Sequence, residues 1–243
     1  MLSGLRGTTH GAIPSPNIWH WPQVYEVENQ AQDVDGAVYN HVRSVASWKG
    51  ADVLDIGCGT GFHLPMFAQS ARSVIGVEPH PPLIAAARAR VEGLPGVRIA
   101  EAGAENLPVE DASVDLVHAR TAYFFGPGCG RGIAEAMRVL RPGGRLVVVD
   151  LDATSHPYGE WMRADLPQYD PVAVERFFDA QGFDLTRIDT RWEFADRDAL
   201  ASVLGIEFSP RTASRALAET LGTALHVRYR VHIRTKPYGL VLK

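Results

Sequence analysis

The sequence predicts an α/β fold in which helices cover both faces of one parallel β-sheet. From residue 51 onward, short segments rich in Val and Leu alternate with segments of helical periodicity. Strands that alternate with helices predict parallel pairing and right-handed crossover connections. Because the strand segments are apolar on both faces, we expect the sheet to be buried on each side.

The elements follow from the spacing of apolar residues and from the Gly and Pro residues between them. Residues 1–16 are predicted to lack regular structure, and residues 17–48 contain aromatic side chains followed by a helical stretch that ends before Lys49 and Gly50. Strands are predicted at 51–57, 73–78, 97–102, 114–120 and 145–152, and helices from the first strand to about 70, over 81–93 and over 133–140.

The last third of the chain predicts a helix over 172–181 and strands at 183–194 and 226–235. About two helices lie between these two strands, where a tight hairpin would suffice. We interpret this stretch, about 196–222, as an inserted cap. The predicted organisation is a tail and aromatic lid over 1–48, followed by one domain over 49–243 that carries the cap.

Composition limits the classes of partner. The chain has 24 basic and 28 acidic residues, a balance that does not favour nucleic acid or an anionic membrane. No stretch approaches the ~18 apolar residues of a membrane span, and the start lacks the apolar core of a signal peptide. We therefore expect a cytosolic monomer or homodimer with a small-molecule substrate. Two cysteines, Cys58 and Cys129, are too few for a disulfide framework or a cysteine metal site, and no metal is predicted.

The strongest motif is a glycine-rich turn. A buried strand is followed by Gly57, Gly59 and Gly61 and then by an amphipathic helix. Glycine has no Cβ and allows a ligand to approach the backbone. At the carboxyl end of the first strand, such a turn borders the crevice where α/β sheets bind ligands. Dinucleotide sites need the spacing G-x-G-x-x-G, but Phe62 stands where the third glycine would be. The spacing therefore argues against a dinucleotide.

Four segments, in order over about 52–152, resemble those of the class I S-adenosylmethionine-dependent methyltransferases. They are D-x-G-x-G-x-G from Asp55 to Gly61, VIGVEP with Glu78, GAENLPVEDASVDLV with Glu105, and EAMRVLRPGGRLVVVD over 135–150. The last contains an R-P-G-G turn that is typical of the family. The nearest group is that of the ubiquinone and menaquinone C-methyltransferases.

This resemblance implies a Rossmann-like three-layer α/β/α sandwich. Its seven-stranded, mostly parallel sheet would have the order 3-2-1-4-5-7-6, with the last strand antiparallel, an N-terminal lid and a helical insertion before the last strand. The implied activity is methyl transfer from S-adenosyl-L-methionine to a small molecule, which leaves S-adenosyl-L-homocysteine. Glu78 would bind the ribose hydroxyls and Glu105 the adenine amino group. The cofactor residues that the resemblance implies are Asp55, Gly57, Cys58, Gly59, Gly61, Glu78, Pro79, Ala104, Glu105, His118 and Tyr25.

A catalytic base is not singled out by the sequence. Related enzymes often carry a His after the fourth strand, where this chain has Tyr123, Phe124 and Phe125. The remaining candidates are His118, Tyr123, Tyr25 and His20, although a packed, hydrogen-bonded core histidine is the favoured interpretation of His118.

Several alternatives stay open. An NAD(P)-dependent oxidoreductase is disfavoured by Phe62, and a catalytically silent cofactor-binding protein is kept open by the missing His. Asp150 and Asp152 with His156 could suggest a metal, but acids at strand ends are the commoner explanation. Arg228, Arg230 and Arg234 alternate along one strand and predict a solvated face. The acceptor atom, whether carbon, oxygen or nitrogen, is undetermined.

Overall fold

The computed structural model describes residues 15–239. Seven strands form one sheet. The strands are β1 Asp52–Ile56, β2 Ser73–Glu78, β3 Val97–Glu101, β4 Val114–Arg120, β5 Leu140–Leu151, β6 Asp184–Glu193 and β7 Ala224–Thr235. The helices are α1 Pro16–His20, α2 Pro22–Ala31, α3 Ala37–Val45, α4 Leu64–Ala68, α5 Pro81–Arg90, α6 Gly130–Val139, α7 Tyr158–Asp165, α8 Pro171–Ala180, α9 Arg197–Glu207 and α10 Pro210–Glu219.

The sheet has the order β3-β2-β1-β4-β5-β7-β6, which confirms the predicted topology. Strands β1 to β5 pair in parallel, and β7 is antiparallel to both of its neighbours, β5 and β6. The strand order reverses between β1 and β4, so the crevice at their carboxyl ends is the switch point at which such sheets bind ligands.

Each face of the sheet carries its own apolar core, as the two-sided apolar strands predict. Val53 of β1 packs with Trp48 and Phe67 on one face. The next residue, Leu54, packs with Ile133 and Phe178 on the other face, because successive side chains in a strand point to opposite sides. Within residues 15–239, no helix is both long and apolar enough to cross a bilayer.

The N-terminal segment differs from the single helical stretch that we expected, because it forms three helices. Asp33 and Gly36 both have positive φ and interrupt the chain between α2 and α3. The Asp33 carboxylate then accepts the backbone N–H groups of Val38 and Tyr39, which satisfies donors in the first turn of α3. Residues 1–14, predicted to lack structure, lie outside the described residues.

Four further expectations need correction. The helix after the glycine turn is only α4, and a turn precedes it. Helix α6 begins at Gly130, and Leu140 belongs to β5 because it pairs with Val114; the register then shifts, so that Leu116 pairs with Arg145. Helix α7 was not predicted.

The expected solvated face of β7 is also wrong for Arg230. This residue is 2% exposed because α8 and the loop before it cover the strand there. The Nη2 atom of Arg230 donates to the Tyr169 hydroxyl at 2.6 Å. Next along that face, His232 is stacked on Phe178 with ring centroids 4.3 Å apart. From residue 229 to residue 232, both faces of β7 are therefore buried.

Candidate active site

The glycine turn after β1 needs glycine at each of its three alternate positions. Gly57, Gly59 and Gly61 have φ of 69°, 56° and 77°, a region that side chains disfavour. A Cβ on Gly57 would lie 2.7 Å from the Ala122 Cβ, and one on Gly61 would lie 3.3 Å from the Ala87 Cα. The turn is therefore held closely between the segment after β4 and helix α5.

Glu78 ends β2 beside this turn. Its carboxylate accepts the backbone N–H of Gly59 at 3.1 Å and that of His80 at 2.9 Å. The side chain is only 4% exposed, and burial raises the pKa of Glu78 to about 7. The turn and the carboxylate thus form one hydrogen-bonded unit, with Pro79 between Glu78 and His80. Cys58 is buried in the turn, and burial raises the pKa of its thiol.

His118 and Asp55 form a buried pair on neighbouring strands. They are opposite each other in the β1–β4 register, and the His118 Nδ1 lies 2.7 Å from the Asp55 Oδ1. Phe67 packs edge-on against the imidazole at 5.2 Å. Because a carboxylate accepts this bond, Nδ1 carries the hydrogen and Nε2 is the proton-accepting nitrogen. The pair has the arrangement of an oriented base.

Glu105 follows β3 next to the buried Ala104 and is held by two partners. The Tyr123 hydroxyl donates to it, and the Arg131 Nη1 lies 3.2 Å from its Oε2. The Tyr123 ring packs against Gly132, where a Cβ would lie 2.3 Å from the ring. Tyr123 is therefore directed towards Glu105 and α6.

Helices α1 and α2 cover the glycine turn. The Ile18 Cδ1 would lie 2.8 Å from a Cβ on Gly59, and Trp19 stacks on His80 with ring centroids 4.2 Å apart. The Tyr25 hydroxyl lies 3.4 Å from the Thr121 Oγ1, which follows β4. His20 is exposed on α1. The structure thus brings Tyr25 to the crevice and leaves His20 on the outside.

The sequence analysis missed a pair of buried acids, Glu28 on α2 and Glu207 on α9. Glu207 accepts from Asn17 Nδ2 at 2.5 Å and from the Tyr158 hydroxyl at 2.8 Å. Glu28 is 2% exposed and accepts from Gln32 at 2.8 Å. Burial, and then the proximity of Glu207, raise the pKa of Glu28 well above its usual range. Burial also raises the pKa of Glu207, and its hydrogen bonds with Tyr158 and Asn17 oppose that shift.

The acids at the end of β5 have separate protein partners. Asp152 accepts from the Thr154 hydroxyl at 2.6 Å and from Arg187 at 3.2 Å. His156 pairs with Glu160 at 2.9 Å. Burial raises the pKa of Asp150 to about 7, although Arg230 opposes the shift. Across residues 15–239, no three such side chains are grouped to hold a metal ion.

The stretch that contains the turn, Glu78, Glu105 and His118 also matches a protein family. Residues 54–148 match the family model described as a methyltransferase domain. The matched stretch is thus similar to that family. It begins within β1 and ends within β5, so it holds the switch-point crevice.

Relatives of the methyltransferase domain act on diverse molecules, according to their names. The chain is 30% identical over 130 residues to the demethylmenaquinone methyltransferase of Clavibacter sepedonicus, a match that covers 51% of this chain and 53% of that protein. It is 32% identical over 126 residues to the phthiotriol/phenolphthiotriol dimycocerosates methyltransferase of Mycobacterium leprae, covering 51% and 46%. The chain therefore spans about half the length of these relatives.

Solved structures share the fold over a larger part of the chain. The YcgJ protein from Bacillus superimposes with a TM-score of 0.60 at 21% identity, covering 82% of this chain and 98% of that one. The [4+2]-cyclase SpnF superimposes with a TM-score of 0.60 at 18% identity, covering 96% and 100%. The solved structures thus confirm the predicted fold, and the family model supports the resemblance to methyltransferases over residues 54–148.

Proposed function

We propose that this chain is an S-adenosylmethionine-dependent methyltransferase that acts on a small molecule. The observation that carries the proposal is the glycine turn bonded to the buried Glu78, within a methyltransferase domain. A turn of three glycines with positive φ has no side chains over its backbone, which suits a ligand that lies against the backbone. A desolvated carboxylate suits the two hydroxyls of a ribose. A solved geranyl diphosphate methyltransferase of the same fold is in complex with SAM, which supports this ligand.

The cofactor would supply an electrophilic methyl group, and the residues of the chain would hold it and exclude water. Gly57, Gly59 and Gly61 with Cys58 would line its amino-acid portion near Asp55. Glu78 and Pro79 would hold the ribose, and Ala104 and Glu105 would border the adenine. Helices α1 and α2, which already cover the turn, would keep water from the reacting atoms. The His118 Nε2 would take a proton from the acceptor where the acceptor atom carries one.

Thermal unfolding in the presence of S-adenosylmethionine, S-adenosylhomocysteine or NAD tests which cofactor the protein binds. A ligand that binds only the folded state stabilises it by about 2.7 kcal/mol at 100 times its Kd. We expect both sulfur compounds to raise the Tm and NAD to leave it unchanged. A shift with NAD alone would contradict the proposal.

A second candidate is a binding protein without methyl transfer. SpnF has this fold and is named as a cyclase, so the fold alone does not require methyl transfer. Transfer of labelled methyl groups to molecules in metabolite extracts separates the two. We expect a labelled small-molecule product, and bound cofactor without any labelled product would support the second candidate.

Cofactor affinity should depend on pH through Glu78. Ribose hydroxyls bind best to an ionised carboxylate, and burial raises the pKa of Glu78 to about 7. Ionisation is therefore lost as the pH falls, and the affinity for S-adenosylhomocysteine should drop about tenfold per unit below about pH 7. Isothermal titration calorimetry from about pH 6 to about pH 8 measures this.

The variant Glu78→Gln provides the control, because a neutral amide does not titrate. It should bind at least ~10-fold more weakly at about pH 8, and its affinity should be flat across the range. If the Gln variant keeps the pH dependence of the original protein, another group is responsible.

A further inference from the structure

A cavity of about 260 Å³ lies between helices α2 and α3, the start of α4 and one face of the sheet. Its floor includes His118 and Arg120, which are two residues apart on β4 and so point to the same side. We propose that this cavity is the acceptor pocket and that it takes a single-ring aromatic hydroxy acid. The inference rests on the proposed methyl transfer and adds the class of acceptor.

The walls of the cavity favour a planar ring. Four aromatic side chains line it: Tyr39, Trp48, Phe62 and Phe67. Trp48 packs edge-on against Phe67, with ring centroids 5.1 Å apart, and Tyr39 packs edge-on against Trp48 at 5.5 Å. A further ring can extend this edge-to-face packing. A dry cavity of ~150 Å³ holds benzene, so this larger cavity has room for one ring with polar substituents.

The charge of the lining favours an acid. Among the described residues that line the cavity, Arg120 and Asp33 are the charged ones. The Asp33 carboxylate is already committed, since it accepts from the start of α3 and from the Thr190 hydroxyl at 2.7 Å. Burial, followed by Arg120, lowers the pKa of His63 well below its usual range, so that ring adds no charge. Arg120 is therefore a cationic partner in this lining for the acid of a ligand.

The guanidinium of Arg120 has hydrogen-bond donors to spare. Its Nη2 donates to Gln32 at 2.9 Å, and its plane lies over the Tyr229 ring at 4.8 Å. Within residues 15–239, its Nε is buried without a hydrogen-bond partner. A buried donor without an acceptor is costly, and a carboxylate would supply a charge-assisted bond after a small side-chain adjustment.

The second polar group of the ligand follows from His118. Its Nδ1 is bonded to Asp55, so Nε2 can accept a hydrogen bond from a hydroxyl. His118 and Arg120 point to the same side of β4, so one ligand can reach both side chains. We therefore place the acid of the ligand at Arg120 and its hydroxyl at His118.

The test uses three probes that differ in one substituent: 4-hydroxybenzoate, 4-hydroxybenzyl alcohol and 4-hydroxybenzylamine. Calorimetric titration of the full chain with each probe gives the affinity for that probe. A separate titration gives the affinity for S-adenosylhomocysteine. We expect 4-hydroxybenzoate to bind at least ~10-fold more tightly than the alcohol, and the amine to bind most weakly. Equal affinity for all three, tighter binding of the amine, or no binding of the acid would overturn the inference.

Two variants locate the binding. Arg120→Met should lower the affinity for 4-hydroxybenzoate at least ~10-fold and remove the preference over the alcohol. Arg88→Met, at an exposed position on α5, is the matched control and should change nothing. Val42→Phe fills the cavity from α3 and should block all three probes. An unaffected Arg120→Met variant would place the acid elsewhere and overturn the inference.

S-adenosylhomocysteine separates the failure of this inference from the failure of the proposed function. Val42 lies on α3, away from the glycine turn, so the Val42→Phe variant should bind S-adenosylhomocysteine like the original protein, which also shows that it is folded. If the original protein does not bind S-adenosylhomocysteine, the proposed function fails and the cavity is not an acceptor pocket. If it binds S-adenosylhomocysteine but not 4-hydroxybenzoate, only the acceptor class is wrong.

Discussion

Replacing Gly59 with leucine should lower the affinity for S-adenosylhomocysteine at least ~100-fold, which corresponds to about 2.7 kcal/mol. Gly59 has φ of 56°, where a side chain costs roughly 1–2 kcal/mol. The added Cβ would lie 2.8 Å from the Ile18 Cδ1, so the side chain would displace the helix that covers the turn. It would also occupy the crevice proposed for the cofactor. Calorimetric titration measures the loss.

Gly50→Leu is the matched control for this change. Gly50 also has a positive φ, 69°, but an added Cβ would have no atom within 4 Å. Both variants therefore carry the backbone cost, and only Gly59→Leu obstructs the turn. We expect Gly50→Leu to lose some stability and to keep its affinity. A folded Gly59→Leu variant that binds as tightly as Gly50→Leu would show that the cofactor does not use this turn.

Replacing Glu207 with alanine should reduce the free energy of unfolding by about 2–4 kcal/mol. The change leaves the Asn17 amide and the Tyr158 hydroxyl without their acceptor. It also detaches α1 from α9. Urea denaturation at about pH 7 measures the loss. Glu92→Ala, at an exposed site, should stay within ~0.5 kcal/mol. If the two variants were equally stable, the Glu207 contacts would contribute nothing in solution.

The same pair gives stability a definite dependence on pH. Because the pKa of Glu28 is raised on folding, its contribution is complete below the ordinary range of a glutamate and is lost as the pH rises through the folded value. Glu207 contributes to that raised pKa. In the Glu207→Ala variant, urea denaturation at a series of pH values should therefore show this loss ending at a lower pH than in the original protein.

The sheet was predictable because its signals are local. Glycines that demand positive φ and apolar strand segments each act within a few residues, and they recur in a family order that implies the strand arrangement. The sequence left two interpretations of His118 open, a core histidine and a base. The observed geometry is compatible with both, because His118 is buried and bonded to Asp55. Which role His118 performs was beyond the sequence, because the pairing depends on the β1–β4 register.

Contacts between distant segments were not predictable. Glu28 and Glu207 lie on helices where the local sequence does not distinguish them from surface residues, and Glu28 is buried because α2 packs against α9. Arg230 likewise alternates as a solvated residue would, but α8 covers it. Helix α7 lacks a side-chain cap and follows a Pro, so the local pattern did not mark its start. In each case, tertiary packing determines what the local sequence leaves open.

The position of β7 determines the order in which the sheet can be assembled. This strand lies between β5 and β6, although it follows both of them in the chain. During synthesis, β5 and β6 emerge first and must wait with unpaired edges until residues 224–235 leave the ribosome. Exposed edges of this kind are prone to pair with other chains. The nascent protein is therefore most vulnerable to aggregation just before its last strand is available.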